Sequence, residues 1–103
     1  MTKCCVVLTT TKSEKNAQLI AQTLVDKKLS ACVQIDKVTS FFDYNGACKQ
    51  VGEFRLMIKS ASENYKRIEQ LIKINHEYQL PQIIKLDITD GLLEYIEWIL
   101  SKS

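Results

Sequence analysis

The fold of this chain is decided by residues 29–60, which read LSACVQIDKVTSFFDYNGACKQVGEFRLMIKS. Two runs rich in β-branched and aromatic residues flank Asn45-Gly46, and both of these turn residues tolerate positive φ. The stretch therefore predicts a β-hairpin with a two-residue turn. Pairing Tyr44 with Ala47 sets the register of the two arms. The arms, of about 14 residues each, are far longer than a small sheet requires.

The apolar residues of the hairpin change face part-way along it. In the first arm they occupy odd positions up to Ile35 and even positions from Val38 onward. The second arm changes phase near Gly52-Glu53. Because strand side chains alternate strictly between two faces, a change of phase requires a bulge or a bend. We therefore expect the hairpin to kink where Asp36-Lys37 lies roughly opposite Gly52-Glu53.

Helical patterns lie on both sides of the hairpin. Residues 13–28, SEKNAQLIAQTLVDKK, predict an amphipathic helix with Ser13 as N-cap and lysines at its C-terminal end. Its inward residues would be Ala17, Ile20, Ala21, Leu24 and Val25. Residues 62–75, SENYKRIEQLIKIN, predict a second helix with Ser62 as N-cap. Its inward residues would be Tyr65, Ile68, Leu71 and Ile72. Residues 92–101, LLEYIEWILS, predict a third helix.

Two further strands complete the pattern. Residues 4–10, CCVVLTT, form a short β-branched run, and residues 81–89, PQIIKLDIT, place Ile84, Leu86 and Ile88 on one face. The preceding helix has to end ahead of Pro81. The order β-α-β-β-α-β followed by a helix is the split β-α-β arrangement. We therefore expect an α+β, ferredoxin-like fold, with an antiparallel sheet and both main helices on one face.

The composition is that of one ordinary globular domain spanning residues 1–103. Fourteen basic and twelve acidic residues leave a formal net charge of +2, which is too small to predict nucleic acid or an acidic membrane as a partner. No apolar stretch approaches the roughly 20 residues needed to span a bilayer. The N-terminal MTKCCVVLTTTKSEK lacks the small-residue cleavage site of a secretory signal. We therefore expect a cytoplasmic protein.

The four cysteines do not form a metal-binding pattern. Cys4 and Cys5 are adjacent, so their side chains point to opposite faces of a strand, and no C-x-x-C pair occurs. The hairpin register places Cys48 opposite Asp43, far along the arm from Cys32. At about 3.3 Å per residue, the thiols of Cys32 and Cys48 are roughly 35 Å apart. Without an export signal we expect the thiols to be reduced.

The outer half of the hairpin predicts contact with another subunit. Its apolar residues Phe41, Phe42 and Tyr44 would project beyond the sheet on strands with open edges. Burying them requires a second copy of the chain, so we expect a homo-oligomer.

His76, the single histidine, is the most distinctive candidate for chemistry. A neutral imidazole suits copper or zinc, but one histidine alone binds weakly, and a histidine also often caps or packs. A serine or cysteine nucleophile would need His76 as its base, and no third residue is placed to orient it. The pattern therefore does not predict an enzyme. The aromatic motif of RNA-recognition domains and a glycine-rich phosphate loop are missing as well.

Five segments resemble, in order and spacing, the motifs of the CutA family of divalent-cation tolerance proteins. They are SACVQI, TSFFDYNG, an E followed by LMIKS, HEYQLPQII and EYIEWI, and the likeness runs from Cys5 to Leu100. The resemblance implies a ferredoxin-like fold assembled as a tight homotrimer, similar in architecture to PII signalling proteins, whose long hairpins pair across subunits. It also implies a link to copper and other divalent metals, with ligands in a cleft between subunits.

The resemblance also implies roles for particular residues. His76 and Cys32 correspond to suggested metal ligands. The other residues that match the family's motifs, and that would line the same cleft, are Glu53, Lys59, Tyr78, Tyr95 and Trp98.

The chain departs from the family pattern at several places. Glu77 replaces the usual proline after the histidine, and the hairpin reads Phe42 and Tyr44 where Y-x-W is usual. Thr9 stands where some members carry a metal-binding cysteine, and Asn75 stands where some carry a second histidine.

Two functions remain open at this point. The first is a CutA-like homotrimer that binds copper or another divalent cation through His76 and Cys32. The second is a PII-like trimeric module that takes a small anion in the cleft, with Lys59 supplying positive charge. Metal binding should weaken in acid, because a metal-binding imidazole must be unprotonated, whereas anion binding should hold or strengthen. A very stable scaffold with an unused cleft is a third, structural reading.

Overall fold

The computed structural model describes residues 3–103 and shows a four-stranded antiparallel sheet with three helices. The strands are β1 (Cys4–Thr11), β2 (Cys32–Tyr44), β3 (Ala47–Ala61) and β4 (Ile84–Asp87), in the spatial order β2-β3-β1-β4. The helices are α1 (Glu14–Asp26), α2 (Tyr65–Asn75) and α3 (Leu93–Lys102). The predicted α+β, ferredoxin-like order is confirmed. Within residues 3–103, no helix is long and apolar enough to cross a membrane.

The sheet has two distinct faces. Val7 of β1 and Ile58 of β3 are paired and belong to one buried core with Ile20 of α1 and Ile68 of α2. Odd positions of β1 and even positions of β3 therefore face α1 and α2. We call the opposite side of the sheet the open face. The third helix packs on the open face where β1 begins, and the Sγ atom of Cys4 lies 3.8 Å from the carbonyl oxygen of Ile96.

The two adjacent cysteines point to opposite faces, as the sequence predicted. Cys5 lies in the core beneath α1 and α2, whereas Cys4 lies under α3. Both are fully buried, and burial raises the pKa of each thiol. All four cysteines of the chain are free.

The expectation of a bulge in the hairpin is wrong. The β2–β3 ladder runs without interruption from the Cys32–Lys59 pair to the Tyr44–Ala47 pair, so neither arm contains a bulge. The apolar residues change phase because the two halves of the hairpin have different surroundings. The inner half packs its even β3 positions against α1 and α2, whereas the outer half carries Phe42 and Tyr44 on the open face and Phe41 on the opposite one. The turn itself is confirmed, with φ of 52° at Asn45 and 85° at Gly46.

Three smaller expectations need correction. Ser62 does not cap α2 but opens a 3-10 turn, Ser62–Asn64, because its N–H donates to the carbonyl oxygen of Lys3 at 2.7 Å. Val25 is exposed because α1 is at its last turn there and the chain leaves the sheet. The fourth strand is shorter than predicted, because its ladder extends only along Cys5–Leu8 of β1.

One buried hydroxyl in β1 has no partner. The Oγ1 atom of Thr9 is buried without a hydrogen bond, whereas Thr11, two positions along on the same face, donates to the carbonyl oxygen of Ser13 at 2.8 Å. Both residues are fully buried. A buried hydroxyl without a partner has lost its bonds to water and gained nothing in exchange.

We predict that Thr9→Val raises the free energy of unfolding by about 1 kcal/mol, because it removes this unsatisfied group. The matched variant Thr11→Val should lower the same free energy by about 1 kcal/mol, because it removes a hydrogen bond. Denaturant unfolding followed by circular dichroism would measure both changes. A loss of stability in Thr9→Val equal to that in Thr11→Val would contradict the prediction.

Candidate functional site

The residues that the sequence singled out lie in two separate groups. The first, which we call the His76 cluster, comprises His76, Tyr78, Glu53 and Ser40. The second, which we call the Trp98 cluster, comprises Trp98, Tyr95, Lys59 and Cys32. Different elements of the fold hold the two clusters.

The imidazole of His76 has both of its nitrogens engaged. Nδ1 lies 3.0 Å from the backbone nitrogen of Tyr78, and Nε2 lies 2.7 Å from the carbonyl oxygen of Thr10. A backbone N–H can only donate and a carbonyl oxygen can only accept, so Nδ1 accepts and Nε2 carries the proton. The contacts therefore fix one neutral tautomer of His76. The ring links the segment after α2 to the end of β1.

Tyr78 and Ser40 hold the two carboxylate oxygens of Glu53. The Tyr78 hydroxyl donates to Oε2 at 2.8 Å, and the Ser40 hydroxyl donates to Oε1 at 2.6 Å. Glu53 lies on the open face, where odd positions of β3 point. Burial, and then the hydrogen bond to Glu53, raises the pKa of Tyr78 to about 12. The arrangement keeps the phenol protonated and the carboxylate fixed in direction.

Glu77 ties the same segment to the start of α1. Its carboxylate accepts from the backbone N–H of Ser13 and from the Ser13 hydroxyl, each at 3.1 Å. Asn16 donates to the carbonyl oxygen of Asn75 at 2.8 Å and accepts from the N–H of Glu77 at 3.4 Å. A proline at position 77 would have neither the carboxylate nor the N–H. The chain therefore anchors the His76 cluster through contacts that a proline at this position could not make.

A cavity of about 770 Å³ adjoins the His76 cluster on the open face. Its lining includes Glu53, Lys12, Lys49, Phe42 and Tyr78. One carboxylate and two ammonium groups therefore share this cavity with aromatic rings.

The Trp98 cluster lies where α3 covers the sheet. The Tyr95 and Trp98 rings are stacked, with centroids 5.7 Å apart and planes at 22°. The Nζ atom of Lys59 lies 3.3 Å from the Tyr95 hydroxyl and 5.4 Å from the Tyr95 ring centroid. Cys32 is half-buried and pairs with Lys59 in the β2–β3 ladder, so both side chains are on the open face.

His76 and Cys32 do not meet within one chain. Lys59, the partner of Cys32, pairs with Val6 of β1, whereas His76 contacts Thr10 of that strand. Val6 and Thr10 are four residues apart on β1, which corresponds to about 13 Å along the strand. Residues 3–103 contain no group of three or more His, Cys, Asp or Glu side chains that could hold a metal ion. The two suggested ligands therefore belong to different places on one subunit.

The sequence did not single out Ser40, Lys12 or the anchoring role of Glu77. The hairpin register indicates Ser40, because it lies on the same face as Glu53, two positions along β2 from Val38, the ladder partner of Glu53. Lys12 follows Thr11 at the end of β1, and Thr11 pairs with Phe54, the neighbour of Glu53. The Glu77 contacts depend on how α1 and α2 are placed side by side, which no local pattern indicates.

A sequence profile described as CutA1 divalent ion tolerance protein matches residues 5–102. The chain belongs to this family. The family is described by tolerance to divalent ions, and its description names no catalysed reaction.

Individual members of the CutA1 family agree with this assignment. A divalent-cation tolerance protein CutA from Archaeoglobus fulgidus is 37% identical over 90 residues, which cover 87% of this chain and 88% of that protein. A CutA from Thermus thermophilus is 35% identical over 95 residues, covering 91% and 92% of the two chains.

Solved CutA structures share the fold. CutA1 from the psychrotrophic bacterium Shewanella sp. SIB1 superposes with a TM-score of 0.94 at 34% identity, covering 99% of this chain and 96% of that one. The Archaeoglobus fulgidus structure, described as a periplasmic divalent cation tolerance protein, gives 0.89 at 34% identity and covers 93% and 94%.

We predict that Glu53→Gln lowers the pKa of Tyr78 from about 12 toward its ordinary value of 10.0, because the variant removes a negative charge beside the phenol. The change should be visible as an earlier phenolate absorbance in an ultraviolet pH titration. In the native protein, the raised pKa of Tyr78 makes a contribution to the free energy of unfolding that is fully present below pH 10.0 and is lost as the pH rises toward about 12.

Tyr65 offers a matched control, because its hydroxyl donates to Glu69 at 2.7 Å and this bond raises its pKa to about 12. Glu69→Gln should move the titration of Tyr65 and leave that of Tyr78 in place. An unchanged titration in Glu53→Gln would show that the Glu53 carboxylate does not act on the Tyr78 phenol.

Proposed function

We propose that this CutA1-family chain works as a homotrimer that binds a divalent cation, copper in particular, in the clefts between its subunits. The observation that carries the proposal is the exposure of the hairpin. Phe41, Phe42 and Tyr44 are 65%, 42% and 55% exposed in the single chain. Large apolar side chains grouped on a projecting strand pair favour contact with another subunit. The motifs shared with the CutA family favour three subunits.

The donor chemistry supports a site made from more than one subunit. Cys32 and Glu53 both lie on the open face, and the hydroxyl of Tyr78 reaches Glu53 there. A thiol, an imidazole and a carboxylate together suit copper better than magnesium or calcium. Because His76 and Cys32 are far apart in one subunit, an arriving neighbour would have to bring its Cys32 to the His76 cluster.

The tautomer of His76 determines how a cation would enter. Nδ1 holds the lone pair, and the N–H of Tyr78 already uses it at 3.0 Å. A cation at Nδ1 would have to displace this hydrogen bond, so the Tyr78 amide should respond to binding. Protonation of Nδ1 in acid would block the cation and break the same hydrogen bond.

We predict that the protein is a trimer by light scattering and that Phe42→Asp with Tyr44→Asp lowers its mass, because charges on the open face of the hairpin would be buried. Ile74→Asp is the matched control. Ile74 is 75% exposed on α2, away from the hairpin, and its replacement should leave the trimer intact. A monomeric native protein, or a hairpin variant that remains trimeric, would reject the proposed assembly.

We predict saturable binding of Cu(I), Cu(II) or Zn(II) by the reduced protein in calorimetric titration. His76→Ala should abolish binding and Cys32→Ser should weaken it, because each removes a donor, while the mass by light scattering stays that of the native protein. Cys48→Ser is the control, since Cys48 lies near the hairpin turn. The Tyr78 amide resonance should shift on binding. Unchanged binding in both donor variants, or no binding, would rule out this site.

The alternative function, a trimeric module for a small anion, is supported by Lys59. In the described chain its Nζ atom has no carboxylate within 4.0 Å and contacts only the Tyr95 hydroxyl and ring. Measurements at acidic pH distinguish the two functions, because the affinity for an anion should be retained there whereas the affinity for a cation should fall.

We also propose that the protein works in the cytoplasm. Its four cysteines are free, and Cys48 is exposed. An exposed thiol remains reduced most readily in a reducing compartment.

A further inference from the structure

The Trp98 indole borders two different surroundings. One side of the indole stacks on Tyr95. The indole also lines a separate cavity of about 380 Å³, at the C-terminal ends of α1 and α3. Val25 and Ala31 add apolar wall to this cavity. Its volume is at the lower end of the range for small-molecule sites.

The cavity beside Trp98 is lined by cationic side chains and by no acidic ones. Lys28 and Lys102 both contribute to its wall. Neither ammonium has a carboxylate within 4.0 Å in residues 3–103. Two ammonium groups with no acidic side chain beside them favour a ligand with negative charge.

The backbone fixes one of these lysines. Lys28 has φ of 58°, and its N–H donates to the carbonyl oxygen of Val25 at 3.0 Å. The next N–H, that of Leu29, donates to Leu24 at 3.0 Å, so the turn after α1 is closed by two hydrogen bonds. The ammonium of Lys28 therefore extends from a well-defined base at the edge of the cavity.

We propose that this cavity binds a small aromatic molecule carrying a phosphate, of the nucleoside monophosphate class. Its ring would extend the Tyr95–Trp98 stack, because bases stack readily on aromatic side chains. Its phosphate would lie between Lys28 and Lys102, since lysines bind phosphate as point charges. The inference deepens the anion-binding alternative but uses lysines other than Lys59, and it does not depend on the cation site.

Trp98 makes the test direct, because it is the single tryptophan of the chain and reports on its own surroundings. The full-length protein would be titrated with adenosine monophosphate in the presence of EDTA, and indole fluorescence would be recorded. We expect saturable quenching by adenosine monophosphate. Adenosine, which lacks the phosphate, and ribose 5-phosphate, which lacks the ring, should bind at least about fivefold more weakly.

The double variant Lys28→Ala with Lys102→Ala should weaken binding of adenosine monophosphate by about fivefold or more, because two charge contacts are lost. Lys66→Ala with Lys73→Ala removes the same charge from α2, none of whose residues lines the cavity, and should bind as the native protein does. Circular dichroism and light scattering would show that each variant is folded and assembled.

Three outcomes would overturn the proposal. They are the absence of quenching, equal weakening in the two double variants, and equal binding of adenosine monophosphate and ribose 5-phosphate. Loss of quenching in Lys59→Ala but not in Lys28→Ala with Lys102→Ala would place the anion on the Tyr95 side instead. That result would keep the anion-binding alternative and reject this cavity. Because EDTA is present, failure of the cation proposal cannot produce any of these results.

Discussion

The uninterrupted hydrogen-bond ladder between β2 and β3 is the constraint on which the rest of the structure depends. Since β3 also pairs with β1, the register of this one strand determines which side chains of β1, β2 and β3 lie next to one another on each face of the sheet. Its even positions, such as Leu56 and Ile58, enter the core. Its odd positions place Glu53 and Lys59 on the open face. A slip of one residue would exchange the two sets and remove the core and both clusters together.

The segment that follows α2 is held by hydrogen bonds to three other parts of the fold. His76 bonds to the end of β1, Glu77 bonds to the start of α1, and Tyr78 bonds to Glu53 of β3. No single contact among these is strong, because several of the groups are exposed and each hydrogen bond within the protein replaces a hydrogen bond to water. Together they restrain one short segment against three elements. These contacts hold the imidazole of His76 neutral and the carboxylate of Glu53 in one orientation, and a ligand would contact these two groups.

Because the two clusters are separate, one subunit cannot bring the proposed donors Cys32 and His76 together. A single subunit carries a suitable thiol and a suitable imidazole about 13 Å or more apart along the sheet, which is too far to share one ion. A symmetric oligomer presents every group more than once, so a chain with one histidine can still build a site with several donors. Phe42 and Tyr44 of the hairpin lie on the open face, as do Cys32 and Glu53. Burial of the one set would therefore enclose the other.

The sequence by itself determined the order of elements, the hairpin turn, the opposed cysteines and the family, because each depends on local periodicity or on short motifs. It also identified His76, Glu53, Tyr78, Lys59, Tyr95 and Trp98 as residues of interest. Only the tertiary structure decided that they form two clusters, that both His76 nitrogens are engaged, and that Glu77 anchors its segment to the start of α1. It also decided that the hairpin has no bulge. These features depend on distances between elements far apart in the chain, and on which face of a strand finds a neighbour. Periodicity shows that a face is apolar, but not what covers it.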